Sequence, residues 1–324
     1  MAKRWLILGA QIMIAVAIFA IILWRVNFAQ IFGYIQHIDL AYLIAALLVL
    51  AIQVIVAAFR WIQLLKMSGF SFPLGRMIGA FAAGSFLNST LPGGVGGDAM
   101  RIWYSIRNGV SPGAAVHIII LDRVVSLIGL GVLVLIAIAC RWLVTGNPIP
   151  LIDVTAVVLS SGIIVATFGL ILIEPIIKHF SITLPPVLMP IRNLSRAMHA
   201  LRNPSQLSIL IAIVMAVHLL LIAVILFLAW GMHVAFSPLD ALMGLPTALL
   251  LSSLPITPGG WGIREGAMVL ALAQFHIAAE VALGISVLFG IISLFANLPG
   301  ALFWFAHRRE VKEDGRLSEK PVTT

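Results

Sequence analysis

The stretch Asn88-Ser89-Thr90-Leu91-Pro92-Gly93-Gly94-Val95-Gly96-Gly97-Asp98 interrupts a hydrophobic run that is otherwise fit to be helical. Gly is about 1 kcal/mol and Pro about 3 kcal/mol less favourable than Ala inside a helix, so this segment cannot hold a regular one. In hydrocarbon every freed backbone group needs a partner, so broken backbone at membrane depth is packed in protein or lines a wet cavity. A second copy, Thr257-Pro258-Gly259-Gly260-Trp261-Gly262-Ile263-Arg264-Glu265, begins its Pro-Gly-Gly-x-Gly core 166 residues later. Two broken segments at corresponding places in two halves are the pattern of a transporter-like binding site built from internal repeats.

The surroundings of both motifs are those of a bilayer. Of the 324 residues, 61% are hydrophobic and only 10% charged, and the mean hydropathy is +1.12. This is the balance of an all-α polytopic membrane protein. A net charge of +8 acts here as a topology signal and an attraction for anionic lipid. The basic residues form no stripe with aromatics, so nucleic acid is not expected as a partner. The single cysteine, Cys140, provides neither a disulfide framework nor a cysteine metal site. The apolar run 5–24 follows Lys3-Arg4 but is longer than a secretory h-region and has no small-residue cleavage site after it, so it reads as an anchor.

Runs long enough to cross ~30 Å of hydrocarbon lie at 5–24, 40–59, 114–140, 151–173, 207–230 and 279–306, and two further runs, 77–91 and 240–256, end in the glycine motifs. Counted as full spans, these make eight crossings and leave most of the central arginines outside. Counted as the first limbs of re-entrant hairpins, they leave six crossings, with only Arg25 and Arg141 outside, Arg101, Arg123 and Arg264 in the membrane, and the other fifteen Lys and Arg cytoplasmic. The positive-inside rule selects the hairpins. Expected, then, are six spanning helices plus two re-entrant hairpins in two inverted repeats, residues 1–145 and 146–306, with both termini cytoplasmic. The second repeat contains a connector, 174–206, in which Ile191, Leu194, Met198 and Leu201 share one helical face, as in a short amphipathic helix on the inner leaflet. The segment 307–324 mixes charges without apolar period and reads as a disordered cytoplasmic tail.

Candidate site residues follow from the hairpins. Asp98 can cap a helix continuing through Arg101, and Arg264-Glu265 opens the corresponding helix in the second half. Helix N-termini expose unpaired N–H groups and carry about half a positive charge. Gly-Gly-x-Gly lets such backbone approach a ligand. The expected substrate-binding set is Asn88, Gly93, Gly94, Gly96, Gly97, Asp98 and Arg101 in the first motif, with Pro258, Gly259, Gly260, Gly262, Arg264 and Glu265 in the second. Asp122 and Arg123 join them from helix 114–140, because charges at that depth are functional or paired. Neighbouring residues point about 100° apart, so each needs its own partner. Arg101 is the candidate for Asp122, and Glu265 for Arg123. The opposing reading of the glycines is that they only let helices cross closely. His218 reads as a hydrogen-bonded interior histidine, and Asn297-Leu298-Pro299-Gly300 as a hinge or kink.

Nothing points to catalysis. Gly94-Val95-Gly96-Gly97-Asp98 has Val where the Gly-x-Gly-Asp of intramembrane aspartyl proteases needs Gly, and no Tyr-Asp pair supplies a second aspartate. No His/Glu cluster has zinc spacing and no glycine loop leads into Gly-Lys-Ser/Thr. Neither enzyme activity, cofactor nor metal is expected.

With these residues in view, the chain resembles the lysylphosphatidylglycerol synthase transmembrane-region family, the flippase-like membrane proteins. The resemblance rests on Leu91-Pro92-Gly93-Gly94-Val95-Gly96-Gly97-Asp98-Ala99-Met100-Arg101, on Asp122-Arg123, and on the stretch from Pro255 through Pro258-Gly259-Gly260-Trp261-Gly262-Ile263-Arg264-Glu265 to Gly266. It implies an inner-membrane protein that moves or handles lipids or lipid-linked headgroups. The sequence carries no soluble aminoacyl-transfer domain such as the bifunctional members have, so lipid aminoacylation is not expected. Stand-alone members occur near hopanoid and glycolipid pathways, which leaves the cargo open. Two functions follow: a flippase or transporter with an anionic headgroup site, or a non-transporting membrane partner of a lipid- or glycolipid-synthesis enzyme.

Overall fold

The computed structural model describes residues 36–90, 96–146, 150–179, 204–253 and 262–318, with Gly33, Arg192 and Ser195. Among the described residues there are helices and no strands: α1 Leu40–Met67, α2 Leu74–Thr90, α3 Gly96–Arg107, α4 Pro112–Thr145, α5 Leu151–His179, α6 Pro204–Gly231, α7 Pro238–Ser252, α8 Ile263–Ala273 and α9 Ala279–Ser318. Local chemistry sets several boundaries. Asp39 caps α1 by accepting from the Ala41 N–H at 2.8 Å. Ser111 and Ser237 cap α4 and α7, each followed by a proline in the first turn, where a missing N–H costs nothing. Gly146, at φ 64°, closes α4 in the left-handed conformation.

Five helices, α1, α4, α5, α6 and α9, are long and apolar enough to cross a membrane. They coincide with five of the six expected spans; the first, 5–24, lies outside the described residues. So does the amphipathic helix expected at 191–202, except that Arg192 donates to Glu174 Oε2 at 2.9 Å and Ser195 Oγ accepts from the Glu174 N–H at 3.1 Å. Helix α9 continues to Ser318, into the segment expected as a tail. Arg308, Arg309, Glu310, Lys312 and Glu313 are good helix formers, and extending a formed helix is far easier than nucleating one. At 297–300, where a hinge or kink is expected, α9 runs on through Pro299.

The fold is organised on α1 and α6, which pack antiparallel. At one end the Asp39 N–H donates to the Gly231 carbonyl at 2.9 Å. At the other, Trp61, Leu64 and Leu65 share a buried cluster with Leu210, Val214 and Val217. Around this pair the helix contacts recur in the two halves. Helix α2 packs on α3 as α7 packs on α8, and α9 lies on α2 as α4 lies on α7. Likewise α1 touches α2, α4 and α9 where α6 touches α7, α9 and α4. The cluster of the first hairpin pair, α2–α3, involves the C-terminal half of α1. That of the second pair, α7–α8, involves the C-terminal half of α6. Because α1 and α6 run in opposite directions, the two short helix pairs pack toward opposite ends of the α1–α6 pair.

Small residues bring backbones together at the crossings. Gly79 faces Phe303 and Gly300 lies directly on the Ala82 carbonyl where α2 runs antiparallel to α9, and Gly129 of α4 meets Val214 of α6. Here the close-crossing reading of glycine holds. Gly300→Leu should therefore drive α9 away from α2, at about 1–3 kcal/mol for overpacking, and lower the thermal midpoint of the detergent-purified protein. Gly162→Leu on α5, where a side chain meets open space, should leave it unchanged or raise it. Equal midpoints for the two variants would show that the α2–α9 crossing is not tight.

Candidate functional site

Hairpin one places its charges through α3. The helix begins at Gly96, so Asp98 is its third residue rather than its cap. The capping role falls to Asn88 on the other limb, whose Oδ1 accepts from the Gly97 N–H at 2.8 Å. A Cβ on Gly97 would lie 2.5 Å from the Gly84 carbonyl oxygen, so this glycine allows the two limbs to touch. Asp98 is left to bind arginines. It accepts from Arg101 Nη2 at 2.5 Å and from Arg123 Nε and Nη2 at 3.1 and 2.9 Å.

Asp122 holds the other side of Arg101. The Arg101 Nη1 donates to Asp122 Oδ2 at 2.8 Å, the pairing expected from sequence. Arg123 takes Asp98 instead of the expected Glu265, because α3 packs on α4 beside it. Sequence reasoning missed a third arginine. Arg60 forks onto Asp122, with Nε to Oδ1 at 2.6 Å and Nη2 to Oδ2 at 3.1 Å, while its Nη1 donates to Ser126 Oγ at 2.9 Å. Arg60 lies just past the apolar run that ends at residue 59 and was counted among the cytoplasmic charges. The missed signal is the sequence that follows, Trp61-Ile62 and Leu64-Leu65, which keeps the apolar period of α1 going to Met67. Arg101 is also flanked by aromatic faces, with its Cζ 5.8 Å from the Trp61 ring and 5.1 Å from the Phe81 ring, a favourable cation–π setting. The cluster thus sets three guanidinium groups against two carboxylates. Its most exposed member is Arg123, whose side chain is 52% exposed against 7% for Arg101 and 1% for Asp122.

Hairpin two makes a separate cluster. Gly262 precedes α8 at φ 86°, a backbone that favours glycine. Its N–H donates to Glu265 Oε2 at 2.5 Å, the acid's half of a capping box. Arg264 wraps back onto Glu265 Oε1, with Nη2 at 2.6 Å and Nε at 3.0 Å, and also reaches Ser286 Oγ of α9 at 3.2 Å. Its Cζ lies 5.7 Å from the Phe289 ring. Arg101 and Arg264 are therefore each neutralised within their own cluster, on different helices. Gly93, Gly94, Pro258, Gly259 and Gly260 lie outside the described residues.

Between the hairpins is a cavity of about 290 Å³. Ser85, near the end of the first limb of hairpin one, and Ser253, just past that of hairpin two, both line it, with Gln53 of α1, Ser126 of α4 and His218 of α6. The arginine at its wall is Arg60, not Arg101 or Arg264. His218 is bonded as expected, its Nε2 lying 3.1 Å from the Ser126 carbonyl oxygen.

Compared with known proteins, the chain matches over residues 11–300 the family model described as the lysylphosphatidylglycerol synthase TM region. No curated protein matches it. The ion cluster makes its own prediction. Asp122→Asn removes the acid shared by Arg60 and Arg101, and breaking a buried pair in this way costs about 3–5 kcal/mol. The detergent-purified variant should show a sharply lower thermal midpoint. Arg123→Gln acts at an exposed pair worth under about 1 kcal/mol and should shift it little. Similar shifts for both would mean that Asp122 does not hold the cluster together.

Proposed function

The chain belongs to the lysylphosphatidylglycerol synthase transmembrane-region family, and from that premise we propose that it is a lipid flippase moving an anionic lipid or lipid-linked headgroup across the inner membrane. The observation that carries this reading is the cavity. A cavity whose mostly apolar wall, with Phe81, Leu221 and Leu249 among its members, also carries Arg60, Ser126, His218 and Gln53 lies among the apolar helices. Polar groups within a membrane bundle are costly and mark pathways for polar cargo. At about 290 Å³ the chamber is near the small end of ligand pockets, a size for a headgroup and not for acyl chains. Arg60 supplies the anion contact, and the excess positive charge of its cluster favours phosphate. No covalent chemistry enters this reading.

The hairpins supply the moving parts. Their limbs hold 17, 12, 15 and 11 residues, about 16–26 Å at 1.5 Å per residue, short of the ~30 Å hydrocarbon core. In this reading they are re-entrant segments, one from each side of the membrane, in two inverted repeats, and the short described limbs support it. The charge distribution supports cytoplasmic termini even after Arg60 is moved into the bundle. With α3 joined to Arg60 through Asp122, a shift of α3 would alter the cavity wall, which gives a route for coupling cargo binding to opening.

Two measurements test the reading. With Cys140 replaced, single cysteines at Ser71 and Asn108 should react with an impermeant thiol reagent only from the cytoplasmic side, and those at Ser237 and Ala278 only from outside. Opposite sidedness of Ser71 and Asn108 would restore the eight-span alternative. In proteoliposomes, the protein should move labelled phosphatidylglycerol between leaflets, and Arg60→Gln should slow this at least tenfold. Headgroup binding with no movement would favour the second role, a non-transporting partner of a lipid-synthesis enzyme.

A further inference from the structure

We propose that Arg123 is a docking site, on the lipid-facing surface of α4, for the phosphate of an anionic membrane lipid. Val116, Ile120, Arg123, Leu127 and Leu130 follow one another at spacings of four and three, so they share one face of α4. Val116 and Ile120 are exposed apolar side chains on a helix apolar enough to cross a membrane, so this part of the face meets lipid. Arg123, next along it, is half exposed. Leu127 and Leu130, one and two turns further on, stand in the cavity wall. Arg123 itself is not part of that wall. It stands where the face passes from the lipid-facing surface to the cavity.

Charge selects an anion at this point. Arg60, Arg101 and Arg123 outnumber Asp98 and Asp122 by one in their cluster. Arg60 and Arg101 are buried, so Arg123 is where the surplus is open to a ligand. It spends Nε and Nη2 on Asp98. Its Nη1 has two further N–H groups, with no partner among the described residues. Depth selects a lipid as the source. Arg123 stands eleven residues after Pro112, about 17 Å along α4, where a guanidinium exposed to hydrocarbon is costly. Helix side chains lean towards the N-terminal end, so this one reaches back towards the headgroups at the Pro112 end. A lipid phosphate there satisfies the charge and Nη1 together, while its chains lie against Val116 and Ile120. A water-borne anion has no use for that apolar face.

The test reads which lipid sits on this face. The full-length Cys140→Ser, Ile120→Cys protein, carrying a bimane fluorophore on its one cysteine, is placed in phosphatidylcholine vesicles. These contain either phosphatidylglycerol or phosphatidylcholine with brominated, quenching chains. Phosphatidylglycerol should be enriched about fivefold at the fluorophore, the ratio that ~1 kcal/mol gives and the upper range of an exposed ion pair. Arg123→Gln should bring the ratio to about one, and Arg123→Lys should keep most of it. Arg107→Gln, which removes an exposed charge from α3, should leave it unchanged. Equal quenching by the two lipids, or a preference that survives Arg123→Gln, would overturn the site. A loss as large in Arg107→Gln would overturn it in favour of general surface attraction. A preference abolished by millimolar glycerol phosphate would overturn the lipid as the source. Enrichment at Ile120 supports docking even in vesicles where the protein moves no lipid, so this proposal and the flippase reading fail separately.

Discussion

One carboxylate holds the charged interior together. Asp122 receives Arg60 through both oxygens and Arg101 through one, and these residues stand on α4, α1 and α3. In a low-dielectric interior a guanidinium without a counter-charge is far more costly than one at a surface, whereas a paired and hydrogen-bonded one is tolerated. The two arginines therefore require Asp122, and Asp122 requires three helices in one arrangement. Apolar side chains could fill the same volume, but they would leave the rotation of α3 less strictly defined. The ionic junction makes the first hairpin part of the wall on which the cavity depends.

The scaffold is more symmetric than its electrostatics. Helix contacts in one half recur in the other, yet at the 166-residue offset of the glycine motifs, Arg60 and Asp122 correspond to Leu226 and Leu288, both buried and apolar. The second hairpin closes its charge locally instead, with Glu265 satisfying Arg264 and the Gly262 N–H at once. Hairpin one is thus bound to the long helices by three arginines and two acids. Among the described residues, hairpin two reaches α9 through the Arg264–Ser286 hydrogen bond and through apolar packing. The helix pairs α2–α3 and α7–α8 are not mechanical equivalents.

The helical membrane character and the positions of five spans were legible in the sequence because they depend on length and hydropathy, which are local. The pairing of Arg101 with Asp122 was also legible, since an intramembrane charge has few partners to choose from. Arg123 with Asp98 was not, because two residues 25 apart meet only through the rotation of α3 against α4, which no periodicity encodes. Arg60 was hidden by a boundary: an apolar count stops at the first charge, while the helix stops seven residues later at Met67. The cap at α3 was misassigned for a related reason. A cap from the preceding turn is a local pattern, but Asn88 reaches Gly97 across the hairpin, and only the tertiary fold brings it there.

The separation of Arg60 from its acid along the chain also has a consequence for how the protein is made. Asp122 follows Arg60 by 62 residues, so at ~5–20 residues per second of synthesis Arg60 waits roughly 3–12 s for its partner to emerge. A lone arginine at the centre of a helix would resist membrane insertion by ~2.5–3.5 kcal/mol. Arg60 avoids most of this because it lies seven residues from the end of α1, about 10 Å at 1.5 Å per residue, and a side chain of that length can snorkel to the interface. Helix α1 can thus enter the bilayer with its arginine parked at the headgroups. Its pairing with Asp122 requires α4, so the cavity wall is complete only once the helix that neutralises Arg60 has been made.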